Sequence, residues 1–170
     1  MAVGDLTGGG LPEVVLTSNQ DGPKLYLNLG QFRFRDVTDD AHITERDRWT
    51  TGVTLADVNG DGRLDIYVCH AGLKPAFARA NTLYINQGVE DGVPVFREMA
   101  AQYGIADTGY STQAAFFDSD ADGDLDLFLI RNSPRAVSSL PVEDMRTKRD
   151  RKSTRLNSSH SKQSRMPSSA

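Results

Sequence analysis

The residues of this chain best suited to chemistry are oxygen-bearing side chains at regular spacing in a short loop with two glycines. In Asp57-Val-Asn-Gly-Asp-Gly-Arg-Leu-Asp65 they occupy positions 1, 3, 5 and 9, and glycines occupy positions 4 and 6. Hard cations such as Ca²⁺ take six to eight oxygen ligands, and glycines let a backbone turn inward without a Cβ clash. The loop therefore predicts a calcium site, with the position-7 carbonyl as a further ligand. Its predicted ligands are Asp57, Asn59, Asp61, Arg63 and Asp65.

The same pattern recurs further along the chain, in Asp118-Ser-Asp-Ala-Asp-Gly-Asp-Leu-Asp126. The ligands predicted there are Asp118, Asp120, Asp122, the carbonyl of Asp124, and Asp126. Without a cation, the clustered carboxylates would repel one another and raise one another's pKa values. A third copy begins at Asp5 but has Gly9 in place of the position-5 acid. We expect this eroded loop to keep its turn and to bind metal weakly or not at all.

The loops belong to longer repeats, in which they begin at Asp5, Asp57 and Asp118. The segment KLYLNLG at 24–30 matches TLYINQG at 82–88, and FRD at 34–36 matches FRE at 96–98. Relative to the first unit, the second has six residues inserted before its Leu-Tyr-x-Asn segment and four at Val89–Pro94. It lacks one residue before the third loop. Insertions confined to a few places indicate loops that connect strands of constant shape.

Each unit contains short runs of Val, Ile, Leu, Phe and Tyr bounded by Gly, Asn and Asp, which is typical of strands and turns. The repetition of about four such strands in each unit predicts the blade of a propeller. The predicted fold is all-β, with about two and a half to three four-stranded antiparallel blades of an incomplete β-propeller.

The loops have two alternative interpretations, one as another kind of calcium loop and one as a hairpin that binds no metal. EF-hand and dockerin-type loops need an acid at position 12, but position 12 is Leu16, Val68 and Leu129 in the three loops. An Asp/Gly-rich surface hairpin without metal is the other alternative, and it is favoured for the Asp5 loop.

The loop sequence D-x-N-G-D-G-x-x-D-I-Y-V resembles the calcium loop of FG-GAP/VCBS repeats, the blades of integrin-α-like β-propellers. Leu25–Gly30, Phe34–Thr38 and the stretch 109–118 look closer still to bacterial CRTAC-like VCBS-repeat proteins. The resemblance covers roughly residues 1–145. Because such propellers usually have about seven blades and this sequence supplies fewer than three, the resemblance implies a fragment.

Charge divides the sequence into two regions, although the formal net charge is only −4. Residues 146–170 hold eight of the 19 basic residues and one of the 23 acidic ones, so residues 1–145 carry 11 basic and 22 acidic residues. We expect 1–145 to form the repeats. We expect 146–170 to be a disordered basic tail, because it has few apolar residues. It also resembles the adaptor read-through found on translated sequence fragments.

The acidic repeat region argues against nucleic acid as a partner, because phosphates require Lys and Arg. No apolar run approaches the length of a membrane span, and no signal peptide precedes the first loop. Weak calcium modules work outside the cytosol, where calcium is millimolar. We therefore expect the parent protein to be extracellular or at the cell surface.

Four other residues, Cys69, His70, Trp49 and Tyr110, are candidates for functional roles. Cys69 is the only cysteine, which rules out an internal disulfide. Adjacent side chains of a strand point to opposite faces, so Cys69 is predicted to be a core residue that does not meet His70. Trp49 and Tyr110 each lie eight residues before a loop's first Asp. They are predicted near the propeller face opposite the loops, where they contact a sugar or partner protein or pack between blades.

The sequence contains no Gly-x-Ser-x-Gly, Walker, dinucleotide or zinc-binding motif. The resemblance to FG-GAP/VCBS propellers implies a non-enzymatic calcium-binding module for recognition or adhesion, with a protein or carbohydrate ligand on a propeller face. The alternatives are part of a secreted calcium-dependent carbohydrate-active enzyme, such as a polysaccharide lyase, and a purely structural spacer. Because too few blades leave open sheet edges, we expect the chain to be marginally stable and prone to association.

Overall fold

The computed structural model describes residues 1–132, which fold into antiparallel sheets. The first sheet has the order β1-β2-β3-β4 and contains Ala2–Gly4, Glu13–Leu16, Lys24–Asn28 and Phe34–Asp36. The second has the order β5-β6-β7-β8 and contains Thr50–Ala56, Asp65–His70, Thr82–Glu90 and Val93–Glu98. A third sheet pairs β9, Ser111–Phe117, with β10, Asp126–Arg131. This confirms the predicted all-β fold with four-stranded antiparallel blades, the third represented here by its first two strands.

The sheets pack face to face through two apolar clusters. The second strand of the middle sheet alternates between them, because it is covered on both sides. In β6, Ile66 and Val68 contact the first sheet's Val15 and Leu25 cluster, whereas Tyr67 lies with the third sheet. The Tyr67 and Phe116 rings meet edge to face, with centroids 5.5 Å apart. Burial on both faces explains why this strand is a continuous apolar run.

The first strands of neighbouring sheets approach closely. Thr51 and Thr54 of β5 donate hydroxyl hydrogen bonds to the carbonyls of Ser111 and Ala114, at 2.8 and 2.7 Å. Gly52 lies between them, and a Cβ added there would come within 2.5 Å of the Thr112 carbonyl oxygen. A side chain at this position would therefore force the two strands apart.

The two insertions differ in structure. The residues inserted before β7 lie in a connection that contains a 3₁₀ helix, Ala76–Arg79, which agrees with the loop prediction. The insertion at Val89–Pro94 is not a loop, because Val89 pairs with Pro94 and lengthens the β7–β8 hairpin. The expectation was wrong there because a hairpin can grow by adding pairs to both strands. Proline is tolerated at this site because β8 is an edge strand.

The structure also places Cys69, His70 and His42. Cys69 is fully buried in the cluster shared with the third sheet, and burial raises the pKa of its thiol to about 12. The His70 ring forms a hydrogen bond with the Thr82 hydroxyl. Cys69 and His70 therefore point to opposite faces of the sheet, as predicted. His42 is an exposed turn residue with a φ of 62°. The predicted tail, 146–170, and the end of the repeat region lie outside the described residues.

No helix within residues 1–132 has the length and apolar character needed to cross a membrane.

Candidate metal centre

The three acidic loops connect the first and second strands of the three sheets, and they share one hydrogen-bond pattern. The position-1 carboxylate accepts the N–H of position 6 in every loop. These bonds run from Gly10 to Asp5 at 2.7 Å, from Gly62 to Asp57 at 2.8 Å, and from Gly123 to Asp118 at 2.9 Å. The same carboxylate also accepts the N–H of position 5. Equivalent sequence therefore produces equivalent loops.

The acid at position 9 closes each loop from the other side. It accepts the N–H of position 2, which is Leu6 for Glu13, Val58 for Asp65 and Ser119 for Asp126. The donor–acceptor distances are 2.8, 2.9 and 3.2 Å. Because position 9 is also the first residue of the second strand, the strand fixes where this carboxylate lies.

In the Asp57 loop, three of the predicted side chains form a chain of hydrogen bonds. The Asn59 Nδ2 donates to Asp61 Oδ2 at 2.9 Å, and the Asp61 N–H donates to Asn59 Oδ1 at 3.2 Å and to Asp57 Oδ1 at 3.1 Å. The Asp57 and Asn59 oxygens therefore converge on the Asp61 N–H, while Asp61 Oδ2 faces the Asn59 amide nitrogen.

Asp65 lies at the base of this loop and is 1% exposed. Its two oxygens accept the N–H groups of Val58, at 2.9 Å, and Asn86, at 2.8 Å. Burial, reinforced by the neighbouring charges of Asp61 and Asp57, outweighs these hydrogen bonds and raises the pKa of Asp65 to about 6. An added positive charge would favour the ionised form of this carboxylate.

The Asp118 loop is more open and more strongly acidic. Within residues 1–132, the three acids whose oxygens come within 4.8 Å of one another are Asp118, Asp120 and Asp122, all exposed. Desolvation, followed by the charges of Asp122 and Asp126, raises the pKa of Asp120. The Asp124 N–H donates to Asp122 Oδ1 at 3.0 Å, and Asp126 also accepts the Ser119 hydroxyl.

The Asp5 loop keeps the turn but satisfies its acid internally. Asp5 accepts N–H groups from Gly8, Gly9 and Gly10 as well as the Thr7 hydroxyl. These bonds, led by the one from Gly10, lower the pKa of Asp5. Burial raises the pKa of Glu13, which is 1% exposed. This loop therefore holds its shape without the position-5 acid.

The donor set of the two intact loops fits a hard cation. Its side chains offer carboxylate and amide oxygens, and it contains no histidine or cysteine. A carboxylate can accept about four hydrogen bonds or metal contacts. The hydrogen bonds that Asp57 and Asp65 accept from backbone N–H groups therefore leave lone pairs available on both carboxylates. The residues predicted for each loop lie within one short turn, with Asp65 and Asp126 at its base.

One residue at this site was not predicted from the sequence. Asn86, the asparagine of the Leu-Tyr-x-Asn segment, is fully buried and donates to the carbonyls of Leu64 and Leu6, at 3.2 and 2.9 Å. Leu6 belongs to the loop of the preceding sheet. Asn28 holds the equivalent position in the first unit and donates to the Pro12 carbonyl at 2.9 Å. Recurrence of the asparagine in both units was the available signal.

A second unpredicted feature is the side chain of Arg63, for which the sequence predicted only a carbonyl role. Its Nη2 donates to Asp61 Oδ2 at 2.6 Å, and its Nε donates to the carbonyl of Asn86 at 3.2 Å. The guanidinium thus neutralises part of the loop's charge and links the loop to β7. A basic residue next to the acids was visible in the sequence.

Comparison with known families identifies one match. Residues 5–68 match the family described as FG-GAP-like repeat. This range starts at the first acid of the first loop and ends within β6, so it contains two of the three loops. The match supports the FG-GAP resemblance and agrees with the propeller-type blades of the structure. No curated protein matches the chain.

Proposed function

We propose that this chain is a non-enzymatic, calcium-binding part of a β-propeller that serves recognition or adhesion outside the cell or at its surface. The observation that carries the proposal is the shared geometry of the Asp57 and Asp118 loops. In both, backbone N–H groups hold the acids of positions 1 and 9 in the same places. Within residues 1–132, the oxygens of positions 1, 3 and 5 also come within 4.8 Å of one another in the Asp118 loop, whereas the acids of the Asp57 loop do not form such a group.

Calcium would be held by Asp57, Asn59, Asp61, the Arg63 carbonyl and Asp65 in one loop. In the other loop the ligands would be Asp118, Asp120, Asp122, the Asp124 carbonyl and Asp126. The ion would neutralise like charges that otherwise raise the pKa values of Asp65 and Asp120. Because only the folded chain presents these oxygens together, calcium binding would add to the free energy of unfolding.

The extracellular location and the relationship to CRTAC-like VCBS-repeat proteins form part of the same proposal. They are supported by the FG-GAP-like match over residues 5–68 and by the acidic composition of the repeats. Calcium titration by calorimetry tests the central claim. Two sites are expected in the chain, and both are expected to be lost when Asp57 and Asp118 are replaced by alanine.

A further inference from the structure

A groove lies at the end of the sheets opposite the acidic loops. Its lining residues are Trp49, Gly72, Leu73, Lys74 and Tyr110, and its volume is about 420 Å³. The strand β5 runs from beside Trp49 to the Asp57 loop over seven residues, a distance of about 20 Å. A ligand in this groove would therefore not contact the candidate calcium sites.

The two rings of the groove occupy the same repeat position in neighbouring units. Trp49 directly precedes β5 and Tyr110 directly precedes β9, and the spacing between them equals the spacing between Asp57 and Asp118. Since β5 and β9 pack side by side, the repeat brings the two aromatic residues to one place.

Trp49 packs against Gly72 on one side and is exposed to solvent on the other. Gly72 has a φ of 86°, and a Cβ added there would lie 2.9 Å from both Cβ and Cγ of Trp49. The tryptophan therefore rests directly on a glycine backbone. It nevertheless remains 42% exposed. One side of the residue is thus available to a ligand.

Among the described residues 1–132, the charges near the groove include one cation without a carboxylate partner. Lys74 pairs with Asp47 at 2.8 Å, Arg48 pairs with Glu45 at 3.0 Å, and Arg131 pairs with Asp107. Arg79 has no carboxylate partner within residues 1–132. Its guanidinium carbon lies 4.5 Å from the centroid of the Tyr110 ring, which lines the groove. Its Nε donates to the Thr108 carbonyl at 3.2 Å and its Nη1 donates to the Lys74 carbonyl, so the remaining guanidinium N–H groups are the ones left for a ligand. A positive charge therefore stands beside an aromatic ring in a chain that is otherwise acidic.

We propose that this groove binds one anionic sugar unit, a uronate residue of an acidic polysaccharide. The Trp49 ring and the face of the Tyr110 ring that Arg79 leaves free would contact the apolar C–H face of the sugar, and the remaining N–H groups of Arg79 would bind its carboxylate. The exposed Asp47–Lys74 pair at the rim would hydrogen-bond to hydroxyls. This inference rests on the proposed recognition function and names its ligand class.

Two observations favour a sugar over an acidic peptide. The groove volume lies in the range of small-molecule sites, about 300–1,000 Å³. The unbalanced charge is a single guanidinium, which matches one carboxylate per sugar unit, whereas acidic peptide motifs are bound by clusters of arginines.

The test uses the full chain in calcium buffer, with trigalacturonate as the probe. Trp49 is the only tryptophan, so its fluorescence reports on the groove directly. Saturable quenching or a blue shift is expected with trigalacturonate. The methyl ester of the same trimer, which lacks the charges, is expected to bind at least about tenfold more weakly. A hexaglutamate peptide is expected not to bind.

Variants measured by calorimetry locate the site. Trp49→Ala and Arg79→Gln are each expected to weaken trigalacturonate binding about tenfold or more, and Arg79→Lys is expected to retain part of the affinity. Phe32→Ala and Arg97→Gln serve as controls, because they remove an exposed ring and an exposed guanidinium elsewhere. No saturable binding, equal binding of the ester, preference for the peptide, or equal loss in the controls would overturn the inference.

The same samples separate this inference from the proposed function. Calcium-dependent stabilisation is measured on each variant by its melting temperature. Stabilisation by calcium without trigalacturonate binding would reject the groove and leave the calcium-binding role standing. Saccharide binding by a chain that takes up no calcium would support the groove and reject the metal sites.

Discussion

At the scale of the residue, the Asp57 loop holds a carboxylate where burial and neighbouring charges disfavour its ionised form. Asp65 is buried at the base of its loop and accepts two backbone N–H groups, yet its pKa is raised from 3.8 to about 6. Burial is the main cause, and Asp61 and Asp57 add to it. An acid of this kind weakens the metal-free fold at neutral pH and is stabilised when a cation binds nearby.

This carboxyl predicts how the metal-free chain responds to pH. Between pH 3.8 and about 6 the folded state holds a proton on Asp65 that the unfolded state has released, so stability falls as the pH rises through this window. Above this window the full cost applies, on the order of 3 kcal/mol. The free energy of unfolding, measured by urea denaturation after removal of calcium, should therefore be higher at about pH 4.5 than at about pH 7 because of this group.

The variant Asp65→Asn isolates the effect, because asparagine does not titrate. The difference in free energy of unfolding between the original chain and Asp65→Asn should change with pH in that window. Replacement of Asp40, an exposed acid outside the loops, by asparagine provides the control. If Asp65→Asn kept the same pH profile as the original chain, the buried carboxyl would not be the source.

At the scale of the element, the Leu-Tyr-x-Asn strand supports the loop as well as the sheet. The side chain of Asn86 on β7 donates hydrogen bonds to two carbonyls. One is that of Leu64, which precedes β6, and the other is that of Leu6, in the loop of the neighbouring sheet. Its Oδ1 also accepts the Gly88 N–H at 2.9 Å. The asparagine therefore joins two blades at the end where the acids lie.

Replacing this asparagine should destabilise the fold. Asn86→Ala leaves buried carbonyls and an N–H without partners, and we expect a loss of about 2–4 kcal/mol in the free energy of unfolding. Asn28→Ala, at the equivalent position of the first unit, removes a more exposed bond to Pro12 and should cost about 1 kcal/mol or less. Chemical denaturation of both variants provides the comparison. Equal losses would show that Asn86 does not link the blades.

The order of the strands and the loop positions could be predicted because both depend on short patterns. Acids two residues apart, glycines between them and apolar runs on either side are local signals. The bond from Asn86 to Leu6 joins residues far apart in the sequence, and the contact between Trp49 and Gly72 depends on how a connection folds back. The Val89–Pro94 insertion was misjudged because the sequence does not distinguish a longer hairpin from a longer loop.

At the scale of the whole molecule, each described sheet has two apolar faces, and a face is covered where a neighbouring sheet packs against it. On the first sheet, the face turned away from the second leaves Val3, Leu16 and Phe34 between 38% and 53% exposed. On the third sheet, Phe117, Phe128 and Ile130 are between 43% and 50% exposed. Apolar surface of this kind favours association.

These faces predict that the chain self-associates in solution as its concentration rises. Leu16→Lys and Ile130→Lys should each reduce association, because a charge on either face opposes burial of that face. Sedimentation velocity over a range of concentrations measures the effect, and Val89→Lys, on the β7–β8 hairpin, serves as the control. A chain that stays monomeric throughout would contradict the prediction, as would equal effects of all three variants.

The most direct test of the central claim is a calorimetric calcium titration of the full chain. The paired variant carries Asp57→Ala and Asp118→Ala, and the control carries Asp21→Ala and Asp40→Ala, which remove the same charge outside the loops. We expect two calcium sites in the original chain and in the control, and none in the paired variant. Absence of binding at millimolar calcium, or binding that survives in the paired variant, would contradict the assignment of these loops as calcium sites.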